Sequence, residues 1–161
     1  MQLHVRPVAD EDVEPLVDLT LLAFSPNFES FQRILGPPIY CHIWPDWKAE
    51  QRKAVVTMCA DGVKYHVLVA DVDGRTVGFI AYTLDNRTKT GEIQLIAVHP
   101  EHQKRGIATE LCHHALRGME TRGMTFARVE TGADPSHAAA RQAYEKAGFV
   151  GLPLVRYFRT L

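Results

Sequence analysis

Glu92 to Thr109, EIQLIAVHPEHQKRGIAT, holds the residues most able to do chemistry, and their order says more than their number. An apolar run from Glu92 to Val98 stops at His99-Pro100, a basic turn follows, and Gly106 stands where a long helix should begin. The first turn of a helix presents unpaired backbone N–H groups and the positive end of its dipole. Lys104 and Arg105 add charge there, while Gly106 and Ala108 are small enough to let a phosphate approach the backbone. The predicted chemistry is the cradling of an anion, and the ligand should carry phosphates. It need not be a nucleoside triphosphate: GxxxxGK[ST] is absent, and so is the dinucleotide fingerprint GxGxxG.

Gln103-Lys104-Arg105-Gly106-Ile107-Ala108 also fits a Q/R-x-x-G-x-G/A loop, with Ala108 in the last position, and Tyr144-Glu145-Lys146-Ala147-Gly148-Phe149 fits Y-x-x-x-G-F. In these segments the chain resembles the GNAT superfamily of N-acetyltransferases, which use acetyl-CoA to acetylate amines. The strand before the loop is similar to that family's fourth strand. The resemblance runs from about Tyr65 to Phe149 and is weak in the N-terminal helices, where the family itself varies.

The resemblance implies that backbone groups of Gln103, Lys104, Arg105, Gly106, Ile107, Ala108 and Thr109 hold the CoA pyrophosphate. Ile96, Ala97 and Val98 would pair with the pantetheine arm where the fourth and fifth strands splay apart. The family's fourth strand often has a bulge whose N–H points at the thioester carbonyl, and Ile96 is the candidate donor to the developing oxyanion. The acceptor amine, with a pKa of ~10, must lose a proton before it attacks. Glu92 opens the strand where some relatives carry a catalytic glutamate, and strict alternation would put it on one face with Gln94, Ile96 and Val98. Its other reading is a solvent-facing glutamate at a strand end. Tyr144 matches the tyrosine that protonates the leaving thiolate, although an aromatic at helical spacing from Ala140 also suits core packing. Where the family usually has asparagine near the cofactor, this chain has His137, which is either a donor to the cofactor or a polar residue of a first helical turn.

Other polar clusters carry less. His113 and His114 are adjacent on a helix and point apart, no HExxH is present, and no metal is expected. Cys112 reads as a small half-buried residue rather than a nucleophile. Asp10, Glu11, Asp12, Glu14 and Asp18 either attract a cationic amine or form a solvated helix face. Phe24, Phe28, Phe31, Trp44 and Trp47 line an acceptor pocket or pack as core.

The elements that position these residues follow from periodicity. Leu3 to Arg6 suits a short strand ended by Pro7. Asp10 is a plausible N-cap for a helix carrying Val13, Leu16, Val17 and Leu21. Phe28 to Leu35 could form a second short helix that Gly36-Pro37-Pro38 ends, and Trp47 to Ala60 a third. Tyr65 to Asp71 and Thr76 to Leu84 form a hairpin across Asp73-Gly74, and Glu92 to Val98 is the next strand. A helix follows from about Lys104 to Arg122 with Ile107, Leu111, Ala115 and Met119 on one face. Thr125 to Thr131 is a strand, Asp134-Pro135-Ser136 opens a last helix that Gly148 closes, and Val155 to Phe158 is a final extended run. The fold class is α+β: a mixed, mostly antiparallel central sheet with helices on both faces.

The chain has 161 residues, 46% hydrophobic and 23% charged, which suits one domain over 1–161 and excludes disorder or a fibrous repeat. Lysine plus arginine is 18 against 19 acidic residues, a balance that gives no field for nucleic acid or an anionic membrane. No apolar run approaches the ~18 residues of a membrane span. The 3 cysteines fit no disulfide framework, so a cytoplasmic location is expected. The function expected from the resemblance is direct acetyl transfer from acetyl-CoA to a primary amine of a small molecule. A protein or peptide amine is the alternative acceptor, and a non-catalytic acyl-CoA-binding module the rival class. Relatives are often dimers, so a homodimer is admissible, but no apolar patch in the sequence marks an interface.

Overall fold

The computed structural model describes residues 2–161. Strand β1 (Leu3–Pro7) leads through a 3-10 turn at Asp10–Asp12 into helix α1 (Val13–Leu35), followed by α2 (Pro37–Ile43) and α3 (Trp47–Ala60). Strands β2 (His66–Val72), β3 (Arg75–Asp85) and β4 (Thr90–Val98) form a meander, and α4 (Ile107–Thr121), β5 (Phe126–Val129) and α5 (Ala138–Lys146) complete the order. The strands lie in sequence order across one sheet, β1 to β4 antiparallel and β4 to β5 parallel. The α+β class with helices on both faces is what the sequence implied.

The two faces have separate cores. Leu16, Val17 and Leu19 of α1 and Val55 of α3 pack on Val67, Val69, Phe79, Ala81, Leu95 and Ala97. On the other face Ile107, Leu111, Cys112, Ala115 and Met119 of α4, with Tyr144 of α5, cover Ile80, Tyr82, Ile93 and Val98. Covered on both sides, β3 is buried without interruption from Val77 to Tyr82, which is why its sequence reads as an apolar run rather than an alternation. At the hairpin Asp73 and Gly74 both take positive φ, 51° and 78°, as the two-residue turn requires.

Three expectations need correction. Asp10 is not the cap of the first helix: the Asp12 carboxylate accepts the Ala9 N–H at 2.8 Å and is gripped by Arg6 at 2.7 Å. The short helix anticipated over Phe28 to Leu35 is the second half of α1, which runs through Pro26. Proline removes a hydrogen bond to the carbonyl four residues back. That carbonyl belongs to Leu22, which is 53% exposed, so water can take the freed acceptor. Finally, Val155 to Phe158 joins no strand.

Candidate functional site

The parallel β4–β5 ladder pairs Thr90 with Phe126 and ends at Ile93 with Val129. Beyond that point β4 continues through Gln94 to Val98 with no partner on its β5 side, so the sheet opens into a cleft. Beyond β5 the loop is tied to α5 by Arg141, whose guanidinium donates to the carbonyls of Gly132 at 2.6 Å and Asp134 at 2.9 Å.

The bulge that opens β4 lies at Gln94. Ala81 pairs with Leu95 and Tyr82 with Ile93, which leaves Gln94 as an extra residue. It reverses the alternation: Ile93, Ile96 and Val98 face the α4 side, whereas Leu95 and Ala97 face α1. Glu92 therefore shares no face with Ile96 and Val98, contrary to strict alternation. It lies opposite Thr83 on the α1 side and pairs with Arg128 of β5 at 3.0 Å. Both line a cavity of about 660 Å³ together with Thr83, His66, Lys64 and Phe126.

At the far end of β4 the turn into α4 has the geometry of an anion cradle. Lys104 at φ 60° and Gly106 at φ 81° are both left-handed, and Gly106 is the N-cap of α4. The Gly106 carbonyl accepts the Glu110 N–H at 3.0 Å, which starts the helix and leaves the N–H groups of its first turn free. Nothing stands within 4 Å of where a β-carbon on Gly106 would sit, so the cradle opens to solvent. Ile107 is buried and anchors the helix start, while Lys104 and Arg105 are exposed. The Gln103 side chain has a part that the motif does not reveal: its Nε2 donates to the Val98 carbonyl at 3.0 Å and ties the loop to the end of β4.

Tyr144 is 7% exposed and stands edge-on to Phe149 with ring centres 5.9 Å apart. Burial, reinforced by the nearby Cys112 thiol, pushes its phenol well above the ordinary value, so it stays protonated through the neutral range. Burial likewise pushes the Cys112 thiol up to about 12, the state of an inert packing residue.

His137 belongs to a built network. Its Nδ1 meets Asp134 Oδ1 at 2.6 Å, and its ring stacks on Phe31 of α1 at 5.4 Å. Asp134 also accepts from the hydroxyls of Ser136 and of Ser30, the latter at 2.7 Å. Burial alone would raise the Asp134 carboxyl, but the Ser136, Ser30 and His137 hydrogen bonds outweigh it and hold the group at about 2. Sequence reasoning had no access to this network, because Ser30 and Phe31 lie on a helix remote in sequence from the turn they grip.

The remaining clusters are largely structural. Phe28 stacks on Trp47 at 4.2 Å and Phe31 on Trp44 at 4.9 Å, so these rings fill one another's faces where α1, α2 and α3 meet. Of the N-terminal acids, Asp12 is bound by Arg6, which holds its carboxyl below the usual range despite burial, and Glu14 pairs with Arg52. Among the described residues, no three His, Cys, Asp or Glu side chains gather as metal ligands, and no helix is long and apolar enough to cross a membrane.

Fold and site together define an α+β protein whose β4 and β5 part before a left-handed turn and a helix start with free backbone N–H groups. Residues 34–149 match the family model described as Acetyltransferase (GNAT) family, and the chain belongs to that family. A curated relative, the uncharacterized N-acetyltransferase YsnE of Bacillus subtilis (strain 168), is 34% identical over 62 residues, 38% of this chain and 41% of that protein. The chain thus spans less than half the length of the curated relatives it matches. Among solved structures, the PaiA N-acetyltransferase of Thermoplasma acidophilum, in complex with coenzyme A, superposes with a TM-score of 0.72 at 20% identity, over 93% of this chain and 91% of that one. AAC(6')-Iy, bound to the bisubstrate analog CoA-S-monomethyl-acetylneamine, gives a TM-score of 0.68 at 15% identity, over 100% and 99%. At these identities the likeness is one of fold.

Proposed function

We propose that the chain is an N-acetyltransferase that takes its acetyl group from acetyl-CoA and passes it directly to a primary amine of a small molecule. One observation carries this reading: the β5 side of Gln94 to Val98 is unpaired, and after the 3-10 turn at Pro100–His102 the chain enters the left-handed turn at Lys104 and Gly106 that starts α4. A ligand that is part extended amide chain and part pyrophosphate fits that path. The backbone of Ile96 to Val98 would hold the arm, and Gln103 to Thr109 the phosphates. Acetyl-CoA would supply the acetyl group as an activated thioester.

The chain's own residues divide the proton work between the two faces of the sheet. Glu92, on the α1 side beside the cavity, accepts a proton from the amine. Tyr144, on the α4 side with its phenol kept protonated by burial, donates one to the departing sulfur. His137, with Nδ1–H given to Asp134, keeps Nε2 as its available ring nitrogen. The neighbour bound to an acetylneamine analog supports a small-molecule acceptor.

The test is thermal stabilisation by acetyl-CoA, with CoA, ATP and NAD as controls, followed by an acceptor screen that reads thiol release. Stabilisation by both CoA species alone, and turnover with a small amine, is the expected result. No shift at saturation would overturn cofactor binding. Acetylated protein with every small amine inactive would overturn the acceptor class.

A further inference from the structure

The cavity beside Glu92 has walls of mixed charge. Two cations, Lys64 and Arg128, and two carboxylates, Asp85 and Glu92, line its volume of about 660 Å³. The Asp85 carboxylate accepts the N–H groups of Arg87 at 2.9 Å and Thr88 at 3.2 Å, so it serves its own turn. Burial and the nearby Arg122 hold the His66 imidazole below its ordinary value, and it stays neutral through the neutral range. One carboxylate, Glu92, and two cations are left to meet a ligand.

Glu92 and Arg128 stand opposite each other on neighbouring strands, ~4.8 Å apart in a sheet, and their side chains meet at 3.0 Å. Arg128 reaches Glu92 and Glu130 through the same nitrogen, Nη2, so its Nε and Nη1 have no partner among the described residues. Lys64 forms no ion pair among those residues either, and its ammonium lies 5.0 Å from the centre of the Tyr65 ring. Two exposed apolar side chains, Phe126 at 66% and Val63 at 96%, line the same cavity.

We infer that the acceptor of the transfer reaction proposed above, on which this inference rests, is an α-amino acid with an apolar side chain, its amine at Glu92 and its carboxylate at Arg128 and Lys64. The two charged groups of such a molecule are carried on one carbon, so they can reach opposite members of a pair on adjoining strands. The carboxylate takes the free Nε and Nη1 of Arg128 in a two-pronged contact, and the ammonium replaces the guanidinium at Glu92, so every charge stays compensated. Phe126 and Val63 cover the side chain. The amine nitrogen then forms its bond to the acetyl carbon as the carbon–sulfur bond breaks; its proton passes to Glu92, the sulfur gains one from Tyr144, and an N-acetyl amino acid and free CoA result. An acceptor with several amines fits worse, because once one amine holds Glu92 the others face Lys64 and Arg128. A bare monoamine takes Glu92 from Arg128 and offers the guanidinium nothing in return.

Matched acceptors test this on the full chain. Thiol release from acetyl-CoA is followed with phenylalanine and leucine, with their decarboxylated counterparts 2-phenylethylamine and 3-methylbutylamine, and with neamine as the polyamine. The kcat/KM for each amino acid should exceed that for its bare amine and for neamine by at least ~10-fold. Arg128→Ala should shrink that ratio at least ~10-fold, Arg128→Lys should keep part of it, and Lys64→Ala, at an exposed position, should lower it less. A ratio cancels whatever a variant does to both acceptors alike. Equal or inverted preference in the wild type would overturn the inference, as would a preference that survives both Arg128→Ala and Lys64→Ala. Calorimetry with phenylalanine in the absence of acetyl-CoA separates this failure from that of the proposed reaction. Binding that 2-phenylethylamine does not show and that Arg128→Ala loses would uphold the site even if no acceptor turned over, whereas neither binding nor turnover of the amino acids would overturn it.

Discussion

Glu92 and Ile96 lie on opposite faces of β4, because Gln94 is an extra residue between them. The proposed proton acceptor and the proposed cofactor-binding backbone segment, on one strand, are thus turned toward different faces of the sheet.

If Glu92 takes the amine's proton, Glu92→Gln should lower turnover by ~10²–10⁴-fold near neutrality. The loss should shrink as pH rises toward the amine's own pKa, where solvent removes the proton. A rate profile from neutral to alkaline pH decides this, and a deficit constant across the range would assign Glu92 to positioning. Arg128→Ala, which frees the carboxylate from its ion pair, should change the same limb of the profile.

Removing the phenol oxygen tests the other half of the proton inventory. Tyr144→Phe should reduce kcat with little change in acetyl-CoA affinity, since the ring still packs on Phe149. Equal kcat in the two proteins would remove Tyr144 from the reaction.

At Gly106 the proposed functional group is the backbone itself. A β-carbon meets no atom there, so the cost of Gly106→Ala comes from the left-handed φ of 81°, about 1–2 kcal/mol. We expect a comparable loss of acetyl-CoA affinity as the cradle relaxes, read by calorimetry, with turnover at saturation much less affected. Unchanged affinity would place the phosphates elsewhere.

Asp134 makes a prediction about acid stability. Its carboxyl is lowered from the ordinary 3.8 to about 2, so the unfolded chain binds this proton at higher pH than the folded one. The associated stability is fully present above pH 3.8 and is lost as pH falls toward 2, an effect of about 2 kcal/mol. Asp134→Asn should be less stable at neutral pH and lose less between pH 4 and pH 2 by denaturant titration. Parallel acid losses in the two proteins would refute the assignment.

Much of the frame was legible from sequence because local rules and tertiary demands agreed. The Asp73-Gly74 turn, the face of α4 defined by Ile107, Leu111, Ala115 and Met119, and helix α3 from Trp47 to Ala60 all lie where periodicity and turn chemistry put them. Pro26 misled because helix rules weigh the lost hydrogen bond but not whether the freed carbonyl can reach water. The bulge at Gln94 left no mark because an inserted residue in a strand looks like any other. The tight turn and helix start at Gly106 were readable in the sequence, whereas the grip of Ser30 and Phe31 on Asp134 and His137 exists only once α1 lies across the last turn. The apolar residues after Val150 read as an extended run, yet they form no strand, because pattern alone does not supply a neighbour to pair with.

The hydrogen bond from Gln103 Nε2 to the Val98 carbonyl ties the loop before α4 to the end of β4. If that loop holds a diphosphate, as we propose, the tie works like a gauge: it helps set the separation between the phosphates and the point where the strands part before anything arrives. A two-ended molecule of the right span then gains a chelate advantage, since seating one end delivers the other at high effective concentration. Its two halves, offered as separate molecules, would forfeit that advantage even though every individual contact remained possible.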